Sequence, residues 1–374
     1  MGSAYTPGLT VSGDTVVQRT RRLPIRGEVL VKVGDSVEPD DVLAKAMLPG
    51  PQQAIKLAES LGVEAGEVGA FFNLSVGDPV EKGQLIAATK GIWGLFKKEV
   101  YSEYEGTIEA VSEVTGHVLV REPSVPVEMS CYITGKIVEV MEAEGAVVEA
   151  RCALVQGIFG VGGERNGVLR VAVDSADVVF DAEHVQDGDA GKILVGGSGT
   201  TYEGITRAAK AGVVGLIVGA VRDMDLTKYL GYDIGVAITG QEDIPLTLVV
   251  TEGFGELRMA RRTFELLQSL DGKRASMNGA TQIRAGVIRP EIIVPLAASA
   301  AAERVEVKPQ ALAVGTPIRV IREPYFGQLG AVTGLPAQLQ TVDSGARVRV
   351  LTAKLEDGQD VTVPRANVEI IVGS

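Results

Sequence analysis

Lys32-Val-Gly-Asp-Ser-Val-Glu-Pro-Asp-Asp-Val-Leu43 returns about forty residues later as Ser75-Val-Gly-Asp-Pro-Val-Glu-Lys-Gly-Gln-Leu-Ile86. In both copies Gly-Asp marks a turn, and a second turn precedes the next apolar pair. One hairpin unit used twice predicts a pseudo-symmetric β structure. Outward from the first copy, Ile25 to Val33 alternates apolar and polar residues, the period of a half-buried strand. Between the copies the period changes. Ala54, Leu57, Ala58 and Leu61 recur at helical spacing, Gly62 is placed to stop that helix, and Val68, Phe71 and Phe72 open a second. A helical insertion is therefore expected over residues 51–72.

The phrase V-G-D-x-V-x-x-G-Q-x-L/I-A resembles that of biotinyl/lipoyl-like barrel-sandwich hybrid domains. Tyr104 to Arg121, with its G-x-I/V-x-x-V signature, is similar to their second half. The resemblance implies a flattened β sandwich of two interlocked halves over about residues 20–150. It carries over no prosthetic group. The nearest text to the attachment motifs A-M-K-M and D-K-A is Leu43-Ala-Lys-Ala-Met47, and Lys45 lies within a strand pattern rather than at a hairpin tip. No modified lysine and no cofactor is expected. Strand-like segments continue through residue 173, so the first region is bounded at 20–175.

Beyond it, strands alternate with helices. Lys192–Val195, Val213–Val218 and Leu246–Val250 read as strands. Tyr202–Ala211, Asp223–Leu230 and Met259–Leu270 read as helices, the last with Ala260, Phe264, Leu267 and Leu270 on one stripe. Such alternation predicts a small α/β domain over 185–295 with a mostly parallel sheet. An Ala-rich linker, 296–308, leads to residues 309–374. There Gly315 to Val332 resembles a KOW motif opening an SH3-like barrel, and Glu356-Asp-Gly358 is its later hairpin turn. The fold class expected is α+β and multi-domain. Taken whole, the combination resembles a bacterial family, and the resemblance carries no activity.

Composition narrows the function. A net charge of −12 opposes generic binding to phosphate backbones. The one basic cluster, Arg19, Arg21, Arg22 and Arg26, is followed closely by acids and reads as a solvated face. Two cysteines, Cys131 and Cys152, and two histidines, His117 and His184, are too few and too scattered for a four-ligand zinc site or a disulfide framework. Met1 to Thr10 has no apolar run of the leader type, and Val213–Val221 falls well short of the ~20 residues that span a bilayer. A cytoplasmic protein without membrane insertion is expected.

Two groups of residues are candidate sites. Gly196-Gly-Ser-Gly-Thr-Thr201 follows a strand and precedes a helix, where backbone N–H groups can cradle an anion, although a tight turn capped by Thr200 or Thr201 fits as well. A pocket in the α/β region belongs beyond the carboxyl ends of its strands. That edge collects Gly197, Ser198, Gly199, Thr200, Thr201, Asp223, Thr251 and Glu252, with Asp223 and Asp225 also placed to cap a helix. Gly157 to Gly163 is a second glycine-rich loop, suited to close approach or to a bend between strands. In the last module Arg319, Arg322, Arg347 and Arg349, with Tyr325 and Phe326, form a candidate interaction surface. Eight basic and eight acidic residues from position 300 onward leave that module neutral, so it gains little from counterion release.

No Ser/His/Asp or Cys/His constellation is evident. The function expected first is a non-enzymatic scaffold or adaptor with protein partners at its β modules. The alternatives are small-molecule or anion binding by the α/β region, and RNA or ribosome association through the KOW-like module.

Overall fold

The computed structural model describes residues 9–89, 97–232, 242, 244–281, 288–296, 312–320, 324–325, 328–341 and 347–370. Strands make up 47% and helices 14%, and thirteen strands share one mixed sheet, so the chain is mostly β. The expected α+β class with a separate, mostly parallel α/β domain is thereby corrected.

The strand Gly145–Gln156 is the physical reason. Val11–Arg22 pairs antiparallel along nearly its whole length. Its other edge is split: the first half takes Gly135–Met141, and Cys152 to Gln156 take Glu291–Pro295. Twelve residues at ~3.3 Å each span about 40 Å, long enough to belong to two cores. Ala146, Val148, Ala150, Cys152 and Leu154 bury into the core of the first region, while Ala153 and Val155 bury into that of the α/β part. The sequence therefore turns continuously apolar where both faces are covered.

From Glu291–Pro295 the sheet continues through Arg274–Asn278 to Glu164–Val171. It then becomes parallel across Lys192–Val195, Gly215–Val221 and Thr247–Phe254. The first parallel strand thus lies at 164–171, before the boundary expected at 185. These four strands lie side by side in chain order, and Arg274–Asn278 returns to the opposite edge of the first of them. Three helices accompany them: Tyr202–Lys210, Asp223–Leu230 and Arg261–Ser269. Each turns apolar residues inward, as Ile205, Ala208, Leu226, Phe264 and Leu267 show.

The internal repeat is reproduced bond for bond. The Lys32 N–H donates to Asp35 Oδ2 at 2.8 Å, and the Ser75 N–H to Asp78 Oδ2 at 2.7 Å. Gly34 N–H donates to the Ile137 carbonyl, and Gly77 N–H to the Ile108 carbonyl, each at 2.8 Å. Ile137 and Ile108 return the bond to Asp35 and Asp78, both at 2.9 Å. The bonded segments also align without a gap, Ser102 to Val111 with Cys131 to Val140, which places Gly106 opposite Gly135 in the two copies.

The second copy sits inside the first. Val42–Leu48 pairs with Val125–Ser130, Leu48 opposite Val125, so everything between them is the tip of one hairpin. That tip holds its own strands, among them Gln52–Ile55, Gly106–Val111 and Val118–Arg121, and its own core around Leu57, Val68, Ile86 and Ile108. The insertion is thus larger and more β-rich than the helical pair expected at 51–72. Ala54 is in a strand, the helix is only Leu57–Leu61 before Gly62, and Ala65–Ala70 is a 3-10 turn. Lys45 is an exposed strand residue 3.2 Å from Glu28.

The described residues between 312 and 370 form a six-stranded antiparallel sheet with a separate core that includes Ile318, Val332, Leu351 and Val363. Among the described residues, no helix is long and apolar enough to cross a membrane.

The arginine cluster is not the solvated face expected of it. Arg19 Nε donates to Glu291 Oε1 at 2.7 Å, and Arg21 makes a forked pair with Glu164 while lying 5.3 Å from the Tyr132 ring centre. Both pairs tie the first strand to the far side of the shared sheet; Arg22 and Arg26 are exposed. Near them, burial pushes the Cys131 thiol up to about 11, assisted by Asp41, and the Cys152 thiol up to about 12. Both are free and protonated at neutral pH. Native protein at pH 8 is expected to leave both unreacted with a disulfide reagent, and denaturant to release two thiols; rapid native labelling would contradict this burial.

Candidate ligand cavity

The carboxyl end of Thr247–Phe254 carries Thr251 and Glu252, both buried. One Glu252 oxygen accepts the N–H of Ala260, the residue preceding the helix Arg261–Ser269, at 3.0 Å. The other is 2.7 Å from Arg319 Nη1. Arg319 rises from the first strand of the C-terminal sheet, Pro317–Val320, and also donates to the Thr251 carbonyl at 2.9 Å. Side-chain exposures of 4% and 6% make this a fully desolvated ion pair across two bodies of the protein.

Above the pair lies a cavity of about 520 Å³. The mixed-sheet side contributes Leu9, Val11, Gln156, Ala260 and Thr263; the C-terminal sheet contributes Pro317, Leu329, Ala331 and Leu355. Arg262, Lys354 and Glu356 complete the walls. The lining is mainly apolar, with a few polar groups converging from Gln156, Thr251, Thr263 and the ion pair. That composition and size suit a small organic ligand. A wider, acidic cleft running past Asp174, Asp177 and Glu256 shares the walls Glu252, Ala260, Leu329 and Glu356.

The structure brings two of the residues expected at the α/β edge, Thr251 and Glu252, together with one expected on the barrel surface, Arg319. Arg319 is a correction: it is 3% exposed and faces the sheet rather than a partner. Tyr325 is half-buried against the core of the C-terminal sheet, while Arg347 and Arg349 stand exposed on the strand Arg347–Leu355. Arg322 and Phe326 lie outside the described residues.

The other edge residues are used locally. Gly199–Thr200 is a short parallel strand between Val179–Phe180 and Gly215–Val221. The Gly196 and Ser198 N–H groups donate to the carbonyls of Ile217 and Val178, at 2.8 and 2.9 Å. A Cβ on Gly197 would lie 2.3 Å from the Val178 carbonyl oxygen, so close packing against neighbouring backbone accounts for this glycine. Thr201 caps the helix Tyr202–Lys210, accepting the Gly204 N–H at 3.0 Å. Asp223 is exposed at the start of Asp223–Leu230, and Asp225 is buried against Arg222. In the second glycine-rich loop, Phe159–Val161 is an edge strand paired with Thr247–Phe254.

Sequence reasoning missed Leu9, Val11, Gln156 and the walls from the C-terminal sheet. They carry no chemical signature, because an apolar wall residue reads as an ordinary core residue until two modules meet around it. Among the described residues, no group of three or more His, Cys, Asp or Glu side chains is placed to hold a metal ion. No protein-family model matches the chain, and no curated protein matches it by sequence.

Proposed function

We propose that this protein binds a largely apolar small molecule in the cavity between the mixed sheet and the C-terminal barrel. The observation that carries the reading is the cavity itself: about 520 Å³, mainly apolar walls drawn from both bodies, and a buried ion pair at its base. Neither Glu252 nor Arg319 is spare for chemistry, since each already meets the other, so the reading is of a binding protein rather than an enzyme.

The test is a titration with 8-anilinonaphthalene-1-sulfonate, whose fluorescence reports entry into an apolar site. Native protein is expected to bind it saturably, and Ala331→Trp, which places an indole into the cavity from the exposed face of a barrel strand, is expected to abolish binding with the melting temperature retained. Equal binding by both forms would exclude the cavity, and no saturable binding by either would exclude the reading.

The bond-for-bond equivalence of the two hairpin units supports the barrel-sandwich resemblance, and the six-stranded C-terminal sheet supports the KOW-like one. An adaptor role remains a second reading, favoured by the way residues 52–121 stand off as a separate module. RNA association has less support, since only Arg347 and Arg349 of its expected surface are exposed among the described residues. The two free cysteines fit a cytoplasmic, reducing location.

A further inference from the structure

Residues 52–121 have a core that shares no member with the cores of the sheet or the barrel. Among the described residues, the hydrogen bonds of the module close within it or at its neck, where two chain segments cross: residues 49–51 and 122–124.

The chemistry of that neck is distinctive. The hairpin ladder ends at Leu48 opposite Val125 and resumes at Gln52 opposite Arg121. Between them stand Pro49, Gly50 and Pro51 on one segment and Pro123 on the other. Proline has no N–H, so Pro49 and Pro51, which stand opposite Ser124 and Glu122, cannot supply the donors that would continue the ladder. What remains is the Glu122 N–H to the Pro51 carbonyl at 3.0 Å and Arg121 Nη1 to the Gly50 carbonyl at 3.1 Å. Gly50 is required because the segments approach closely: a Cβ there would lie 2.3 Å from the Glu122 carbonyl oxygen. The prolines are exposed, so water takes over the hydrogen bonding of the bare carbonyls at little cost.

We infer that residues 52–121 are an autonomous arm on a proline hinge, folding by itself and reorienting as a rigid body against the sheet. A ribbon interrupted on both strands resists bending far less than a continuous ladder, and the arm has no second attachment among the described residues to oppose rotation. The inference does not depend on the cavity, which the arm does not line.

Two measurements on the full chain test it. Spin labels on Val114→Cys, which is 90% exposed in the arm, and Glu139→Cys, exposed in the body, report the distance between them. The native cysteines are buried and stay unlabelled. The native neck is expected to give a broad distribution of distances, and Pro49→Thr/Pro51→Thr/Pro123→Thr, which restores the donors, a single narrow peak. A narrow native distribution overturns the hinge, and equal breadth in both forms overturns its assignment to the prolines. Independently, Ile108→Ala, which opens the arm core, is expected to erase hydrogen-exchange protection within 52–121 and leave Gly145–Gln156 unchanged; loss of both together overturns the autonomy of the arm.

Discussion

Arg319→Ala is expected to destabilise the protein by about 3–5 kcal/mol, because Glu252 is left charged, buried and without its partner. The loss should be read by denaturant unfolding, together with a new protease-sensitive state in which the C-terminal sheet has left the mixed sheet. Glu252→Ala should cost a similar amount, as the guanidinium then faces an apolar cavity and the Ala260 N–H loses its acceptor. The decisive comparison is the pair Arg319→Met/Glu252→Leu, which keeps volume and removes both charges. Replacing a buried pair by well-packed apolar residues is often neutral or stabilising, so the double variant should be more stable than either single one. Additive losses in the double variant would mean that the two side chains do not act on each other.

Gly145→Val is expected to have the larger structural reach. A Cβ at this position would lie 1.9 Å from the Arg21 carbonyl oxygen, a backbone atom held by the ladder between Val11–Arg22 and Gly145–Gln156. Its φ of +156° adds a backbone conformation that L residues rarely adopt. Flexible side chains relieve ordinary overpacking for ~1–3 kcal/mol, and here the atom in the way is main chain, so the cost should exceed that range. The strand it opens is shared by two cores, so the damage should not stay local. Hydrogen exchange should show weaker protection both in Val11–Arg22 and in Glu291–Pro295. A loss confined to the turn before Gly145 would refute the idea that one strand binds the two regions into a single cooperative sheet.

Much of the local structure was legible in the residues. The Gly-Asp turns at 34–35 and 77–78, the helices Tyr202–Lys210 and Arg261–Ser269 and the Glu356–Gly358 turn follow from turn chemistry and periodicity acting over a few neighbours. Thr251 and Glu252 were legible as edge residues because a parallel strand delivers its last side chains to the sheet's carboxyl end. Arg319 was legible as notable but not as buried: an arginine on a strand reads as exposed unless its partner, 67 residues away, is known to face it.

The sequence by itself determined the repeated hairpin unit, the alternation of strands and helices and the run of short C-terminal strands, since each is a pattern of side chains at fixed local spacing. Tertiary structure alone decided that one twelve-residue strand joins two regions into a single sheet, that the second hairpin unit hangs from the tip of the first, and that a cavity forms where the C-terminal sheet meets the mixed sheet. Those outcomes depend on which distant strand edges and apolar faces meet, and a periodicity of two or of 3.6 residues says which face is buried without saying against what.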